Sequence, residues 1–304
     1  MRFSAADDIL RVSVRNVPQN PVLGAIQVNL MVALEEKKKA LRGQGKRLFD
    51  FGLGDPKEPT PTFLRDAVER YGPGGEFWRE HRSGADFLPE LPLREWQIWN
   101  EANFFYFATP ASPQRYAKLL KITSPAIKRV EPNARVILSG LFGDPTANPP
   151  NAMPAVQFLE QLYRVPGIKA DFDGVALHPY ADKAERLEEL VEEMRAVVLE
   201  NHDPSTRLYI TEMGWGSQND PNVVAFEQGI AGQARELRKA YSFLIANRAR
   251  LNLKAAYWYS WKDNPEYVAC SFCDSVGLFR AGRAFKPKPA WRAFVALTGG
   301  RARP

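Results

Sequence analysis

Short apolar runs alternate along this chain with longer stretches in which apolar residues recur every three or four positions. The first pattern predicts buried strands and the second predicts amphipathic helices. Strands are expected at Leu10–Val17, Arg47–Leu53, Trp96–Glu101, Ala134–Gly140, Phe172–Leu177, Leu208–Glu212 and Ala255–Trp261. Between them, helical periodicity spans Ala25–Arg42 (stopping at Gly43), a segment from near Thr62 toward Tyr71, Pro113–Val130, Val156–Tyr163, Ala184–Glu200, Val224–Asn247 and Pro289–Leu297. Regular alternation of this kind, joined by right-handed crossovers, predicts an α/β fold with a parallel sheet covered by helices.

Composition narrows the picture only slightly. The chain has 304 residues, 45% hydrophobic and 25% charged, enough for one large domain with a substantial core. No run approaches the length of a membrane span, so no membrane partner is expected. The opening residues include Asp7 and Asp8 where a signal peptide needs an apolar stretch, which predicts a cytoplasmic protein for the sequence as written. The net charge of +6 is dispersed apart from Lys37-Lys38-Lys39 and the Arg301/Arg303 tail. No basic stripe is interleaved with aromatics, so nucleic acid is not an expected partner. Cys270 and Cys273 form the one Cys-x-x-Cys spacing, without the further ligands that a zinc site needs. They read as free thiols in a loop or as a local disulfide.

Candidate chemistry sits at two strand ends. Trp96-Gln97-Ile98-Trp99-Asn100-Glu101 and Leu208-Tyr209-Ile210-Thr211-Glu212 each finish on a glutamate. In a parallel barrel the strands end on one rim, so the two acids would face one cleft, the arrangement that glycosidic-bond hydrolysis requires. Strand-end glutamates paired with lysine or arginine are the plainer alternative.

From about Val68 to the end the chain resembles the clan A glycoside hydrolases, retaining enzymes of the (β/α)₈ barrel, and among them the bacterial members similar to family 39. The matching residues are Trp99-Asn100-Glu101-Ala102-Asn103, Ala176-Leu177-His178-Pro179-Tyr180, Ile210-Thr211-Glu212-Met213-Gly214-Trp215, Tyr257-Trp258-Tyr259-Ser260-Trp261, Gly277-Leu278-Phe279 and Lys288-Pro289-Ala290-Trp291. The resemblance implies that Glu101 is the acid/base and Glu212 the nucleophile, at the ends of the fourth and seventh strands. It implies that Asn100 bonds the sugar 2-hydroxyl and that His178 and Tyr180 offer hydrogen bonds to the nucleophile or sugar. Both could equally be structural. Trp261 is the expected sugar-stacking platform; Trp215 either lines the cleft or plugs its loop; Trp99 and Trp258 read as packing. The implied function is cleavage of β-linked oligo- or polysaccharides with a carbohydrate as the only partner, no cofactor and no metal. Enzymes of this kind are often secreted.

Residues 1–67 resemble instead the opening of fold-type I pyridoxal-phosphate aminotransferases, through a helix like Met31–Arg42 followed by Arg47-Leu48-Phe49-Asp50-Phe51-Gly52-Leu53-Gly54-Asp55-Pro56 and Pro59-Thr60-Pro61. The portion of that family carrying the Schiff-base lysine and its aspartate partner is absent, so the segment reads as scaffold supplying early βα elements to the barrel of residues 68–304. The count then reaches seven strands, a (β/α)₈-like barrel altered or incomplete in its first strands. Arg11 and Arg15 are the candidates for the arginine that clan A enzymes place near the nucleophile. A non-catalytic chimera that binds sugar or protein is the alternative to an enzyme.

Overall fold

The computed structural model describes residues 43–44, 60–84, 87–219, 226–267, 270 and 272–299. The chain divides between Lys57 and Glu58, and nearly all described residues belong to the second unit. The strands expected at Leu10–Val17 and Arg47–Leu53, the helix Ala25–Arg42, Arg11 and Arg15 lie outside the described residues.

The described elements follow in chain order as α1 Thr60–Tyr71, α2 Glu76–Glu80, β1 Glu95–Gln97, α3 Pro113–Val130, β2 Arg135–Ile137 and β3 Leu141–Phe142. After them come α4 Ala155–Tyr163, a 3₁₀ turn Ile168–Asp171, β4 Gly174–His178, α5 Ala184–Glu200, β5 Arg207–Ile210, α6 Gly229–Ala246, β6 Leu253–Ala256 and α7 Pro289–Thr298. Local chemistry sets several boundaries. Ser112 caps α3 by accepting the Arg115 backbone N–H at 3.3 Å, Pro113 occupies its first turn, and Lys128 and Arg129 face the negative end of its dipole. Helix α7 starts at Pro289 and stops at Gly299, whose φ of 71° is the left-handed conformation that glycine reaches without a Cβ penalty.

All pairings are parallel, in the order β1-β2-β4-β5-β6 with β3 added on β4. Alternation along each strand divides its side chains between two faces. Trp96, Val136, Leu138, Val175, Leu177, Leu208 and Ile210 turn outward into the main core, where α3 to α6 cover them with Leu120, Phe158, Leu190 and Leu237. The opposite face carries a much smaller apolar cluster, Ile137, Ala176 and Tyr209 with Ala255. There the Tyr209 hydroxyl donates to Glu95 across the concavity at 3.0 Å, and a Cβ on Gly174 would stand 2.5 Å from the Tyr209 ring, so the glycine makes room for it. This is an α/β fold with a parallel, helix-covered sheet, and six strands lie among the described residues.

Helices Pro113–Val130 and Ala184–Glu200 fall where the periodicity places them. Helix α6 starts at Gly229, which takes φ 67° and donates to the Gln218 carbonyl; the expected start at Val224 lies outside the described residues. The strands are shorter than their apolar runs. The run at 96–101 leaves the sheet after Ile98 and the run at 255–261 after Tyr257, each through one last backbone bond. The remaining apolar residues serve loops above the sheet. Strand β3 and helix α2 are too short to show a period. Among the described residues no helix is long and apolar enough to cross a membrane.

One buried cation ties the carboxyl-side loops together. Lys288, 1% exposed, donates to the Ser217 hydroxyl at 2.8 Å, to Asp263 at 2.6 Å and to the Ser275 carbonyl at 2.7 Å. Burial pushes the lysine pKa down and the aspartate pKa up, while the contact between them favours both charged forms. Removing one partner strands the other charge. Lys288→Met is therefore expected to destabilise the protein by about 3 kcal/mol, measured as a lower urea midpoint at unchanged m-value; a midpoint within error of the parent would contradict the assignment.

Candidate active site

The carboxyl end of β1 is held by a phenol. Tyr116 on α3 donates to the Ile98 carbonyl at 2.7 Å and accepts the Ser139 backbone N–H at 2.7 Å, so one hydroxyl bridges the ends of β1 and β2. Burial drives its pKa far above the ordinary phenol value, which keeps the proton in place for that bond. The Ser139 hydroxyl accepts the Ala102 N–H at 3.3 Å. Beyond Ile98 the chain turns sharply, with φ of 71° at Trp99 and 41° at Glu101. Left-handed conformations at non-glycine residues cost on the order of 1 kcal/mol or more each and gather at functional sites. Asn103 fixes the far side of the turn. It is fully buried, donates to the carbonyls of Phe142 and Met153 at 2.7 and 2.8 Å, and accepts the Phe142 N–H at 2.9 Å.

This scaffold aims a buried Glu101 at His178, the last residue of β4. His178 Nδ1 lies 2.7 Å from Glu101 Oε1 and 3.7 Å from Glu212 Oε2, and its Nε2 lies 3.0 Å from the Thr211 hydroxyl. The ring rests against Gly140, where a Cβ would stand 1.8 Å from Nε2, so any side chain at 140 would evict it. Glu212 follows β5 and accepts the Tyr180 hydroxyl at 3.0 Å. Its loop passes close under the last strand: Tyr259 N–H donates to the Met213 carbonyl, and a Cβ on Gly214 would meet the Tyr259 carbonyl at 2.3 Å.

Glu101, His178 and Glu212 each present an atom within 4.8 Å of the others. That spacing would also suit a divalent cation held by two carboxylates and an imidazole, with Nδ1 as the nitrogen ligand. Burial pushes the Glu212 carboxyl pKa up; His178 pulls it down, the Glu101 charge adds to the rise, and the Tyr180 bond lowers it again. Tyr180 is itself held well above the ordinary phenol range by burial and by the Glu212 charge, so it stays a donor. The two carboxyls thus have different partners, an imidazole for Glu101 and a phenol for Glu212.

Of the residues singled out in the sequence, Glu101, Glu212, His178 and Tyr180 converge in one cluster, and Asn100 beside Glu101 is half-buried. Trp215 does not line it. That indole is buried, donates to the Ala181 carbonyl at 2.8 Å and packs on Trp258, so it plugs the loop. Trp261 is more than half exposed on the rim, with its ring against Phe279 and Trp291. Trp258 packs in the core as expected, but Trp99 is exposed, because the turn after Ile98 swings it out of the strand. Asn103, Tyr116 and Tyr259 were missed. Tyr259 is half-buried, and its phenol pKa is raised by burial, by Tyr267 and by the charges of both Glu212 and Glu101. Strand alternation from Trp261 back to Tyr259 is the signal that could have found it. Asn103 is quoted in the motif but carries no sign that its amide turns inward. Cys270 and Cys273 are joined as a disulfide beside Phe272 and Tyr180.

No family model matches this sequence. A 46-residue stretch near the amino terminus, 15% of the chain, is 39% identical to a probable aspartate aminotransferase of Streptomyces griseus, of which it covers 22%. Among solved structures, similarity extends over 81% of this chain to 47% of a family 39 glycoside hydrolase from the gut symbiont Bacteroides cellulosilyticus WH2, with 21% identity and a TM-score of 0.51. A monomeric β-xylosidase of Caulobacter crescentus CB15 matches 79% of this chain with 47% of its own, at 19% identity and a TM-score of 0.51. A family 51 α-L-arabinofuranosidase of Bifidobacterium longum matches 86% with 56% of its own, at 14% identity and a TM-score of 0.55. The chain spans about half the length of the solved structures it matches, and what it shares with them is the α/β fold.

Proposed function

We propose that the chain is a retaining glycoside hydrolase acting on β-linked oligo- or polysaccharides, with Glu212 as nucleophile and Glu101 as acid/base. The observation that carries this reading is the approach of the two carboxyl groups, whose oxygens lie within 4.8 Å. Retaining enzymes hold the pair about 5 Å apart, and inverting enzymes leave several ångströms more for a water.

In the first step a Glu212 oxygen bonds the anomeric carbon while the bond to the leaving oxygen breaks and Glu101 protonates that oxygen. In the second, water attacks the glycosyl-enzyme, Glu101 takes its proton, and Glu212 departs as carboxylate. Glu101 must therefore change protonation state twice per cycle. His178 is suited to support both states, because its Nδ1 can accept from the acid or donate to the carboxylate, and the Thr211 hydroxyl satisfies Nε2 in either tautomer. Tyr180 opposes the rise that burial imposes on Glu212 and helps keep the nucleophile ionised. Asn100, Tyr259 and Trp261 are the proposed sugar contacts, the last two offering ring faces to the flat C–H side of a pyranose.

The decisive experiment is turnover of aryl β-glycosides by the purified protein, in EDTA, beside Glu212→Ala. The variant is expected to lose roughly 10⁴-fold in kcat, with azide restoring activity and giving the product of inverted configuration. A folded protein that binds sugars without turnover would support the non-catalytic alternative, and activity lost in EDTA but restored by a divalent cation would favour metal-assisted hydrolysis. Glu101→Ala should lose about 10²–10⁴-fold on natural glycosides and much less on nitrophenyl glycosides, whose leaving groups need little protonation; equal losses on both would refute the acid role. For Tyr180→Phe the Glu212 pKa rises. Because turnover requires the ionised nucleophile and fails as pH falls through that pKa, the acidic limb of kcat/KM should move to higher pH, and an unmoved limb would remove Tyr180 from the nucleophile's environment.

A further inference from the structure

Cys270 and Cys273 are the only cysteines in the chain, and their disulfide packs on a small apolar cluster of Tyr180, Phe272 and Val276, with Tyr259 at its edge. Two of these side chains belong to the site. Tyr180 donates to Glu212 at 3.0 Å, and Tyr259 lies where the charges of both carboxyls raise its pKa. Phe272 stands between the two cysteines in sequence and edge-on to Tyr180 in space, with ring centres 5.4 Å apart. Beyond it the chain is well fixed: the Asp274, Ser275 and Val276 carbonyls accept from the Asn264 N–H at 3.1 Å, from Lys288 at 2.7 Å and from the Trp258 indole at 2.9 Å. The turn that carries Phe272 has weaker support. Its backbone bonds are long, 3.4 Å from the Cys273 N–H to the Cys270 carbonyl and 3.3 Å from the Ser275 N–H to the Phe272 carbonyl, so the covalent link is its firmest tie. Both cysteines are partly exposed, which lets an external thiolate reach the sulfurs.

We propose that the disulfide of Cys270 and Cys273 is a reversible thiol–disulfide exchange site for an external dithiol, and that its reduction lowers turnover by releasing Phe272 from Tyr180. The effect on turnover rests on the glycosidase reading above; the exchange itself does not. A thiolate of the dithiol attacks one cysteine sulfur, the S–S bond breaks, and the other cysteine leaves as a thiolate that takes up a proton. The second thiol of the reagent then displaces the first cysteine. Two electrons pass to the protein, which gains two thiols, and the reagent becomes a disulfide. The bond closes a short loop, so opening it relaxes the unfolded chain less than opening a long loop would. The consequence is therefore local. Tyr180 loses the ring that backs it, its bond to Glu212 weakens, and the nucleophile changes in the same direction as in Tyr180→Phe, with His178 and Glu101 still facing it.

The test equilibrates the whole chain in mixtures of reduced and oxidised dithiothreitol, alkylates it with iodoacetamide for mass spectrometry, and follows aryl β-glycoside turnover in each mixture. Both cysteines are expected to become alkylated together while the melt stays cooperative. Over the same mixtures kcat/KM should fall about fivefold and its acidic limb should move to higher pH, with both changes reversed on reoxidation. The double variant Cys270→Ser, Cys273→Ser should show the activity of the reduced parent and ignore dithiothreitol, which separates exchange from removal of a metal by the reagent. Thiols that appear only as the chain unfolds would overturn the proposal, as would full reduction that leaves kcat/KM and the acidic limb in place. If the parent turns over no glycoside, the glycosidase reading falls alone and hydrogen exchange decides. Faster exchange on reduction at the backbone amides around Tyr180 would support its release from Phe272, and unchanged exchange there would overturn it.

Discussion

Two carboxyl groups a few ångströms apart and largely buried repel when both are ionised, and the site is organised around that repulsion. His178 meets it from the centre, with one nitrogen against Glu101, within reach of Glu212, and the other against Thr211. Everything near the imidazole serves its placement. Gly140 is bare so that the ring can lie flat, β4 delivers it at the strand end, and the Tyr116 bridge holds the neighbouring strand end where Glu101 must start its turn. Tyr180 attends to the second carboxyl separately, so the pair is distinguished by its donors rather than by distance alone.

Much of this is legible in the sequence. The helices Pro113–Val130 and Ala184–Glu200 announce themselves by period, proline and charge, and the two glutamates by their place after apolar runs. Strand length was not legible, because an apolar run does not record where a backbone leaves the sheet. That exit depends on single hydrogen bonds such as Ile98 N–H to Ile137 and Tyr257 N–H to Ile210. The tryptophans show the same limit. Trp258 packs as alternation predicts, yet alternation fails at Trp99, whose left-handed φ resets the phase of everything after it.

The chain also separates packing from chemistry by face. The outer side of the sheet holds nearly all of the core, while the concave side keeps a small apolar cluster, a tyrosine-to-glutamate bond and the pocket. Substitutions on the two faces are therefore expected to report on different properties, stability outside and chemistry inside. The Lys288 anchor belongs to neither. It binds the loops above the last strands to α7, and so fixes the rim without touching the carboxyl pair.

Strand pairing in this sheet joins successive βα units, so the order along the sheet follows the order along the chain apart from the short β3. Such a layer can grow by accretion, each unit docking on the one synthesised before it. The pocket has a longer reach. Glu101 meets a histidine 77 residues downstream, which in turn stands beside a threonine 33 residues further on. The fold can thus consolidate step by step, whereas this cluster is complete only when its last contributing unit arrives, and a nascent chain carries Glu101 long before the side chains it is to meet.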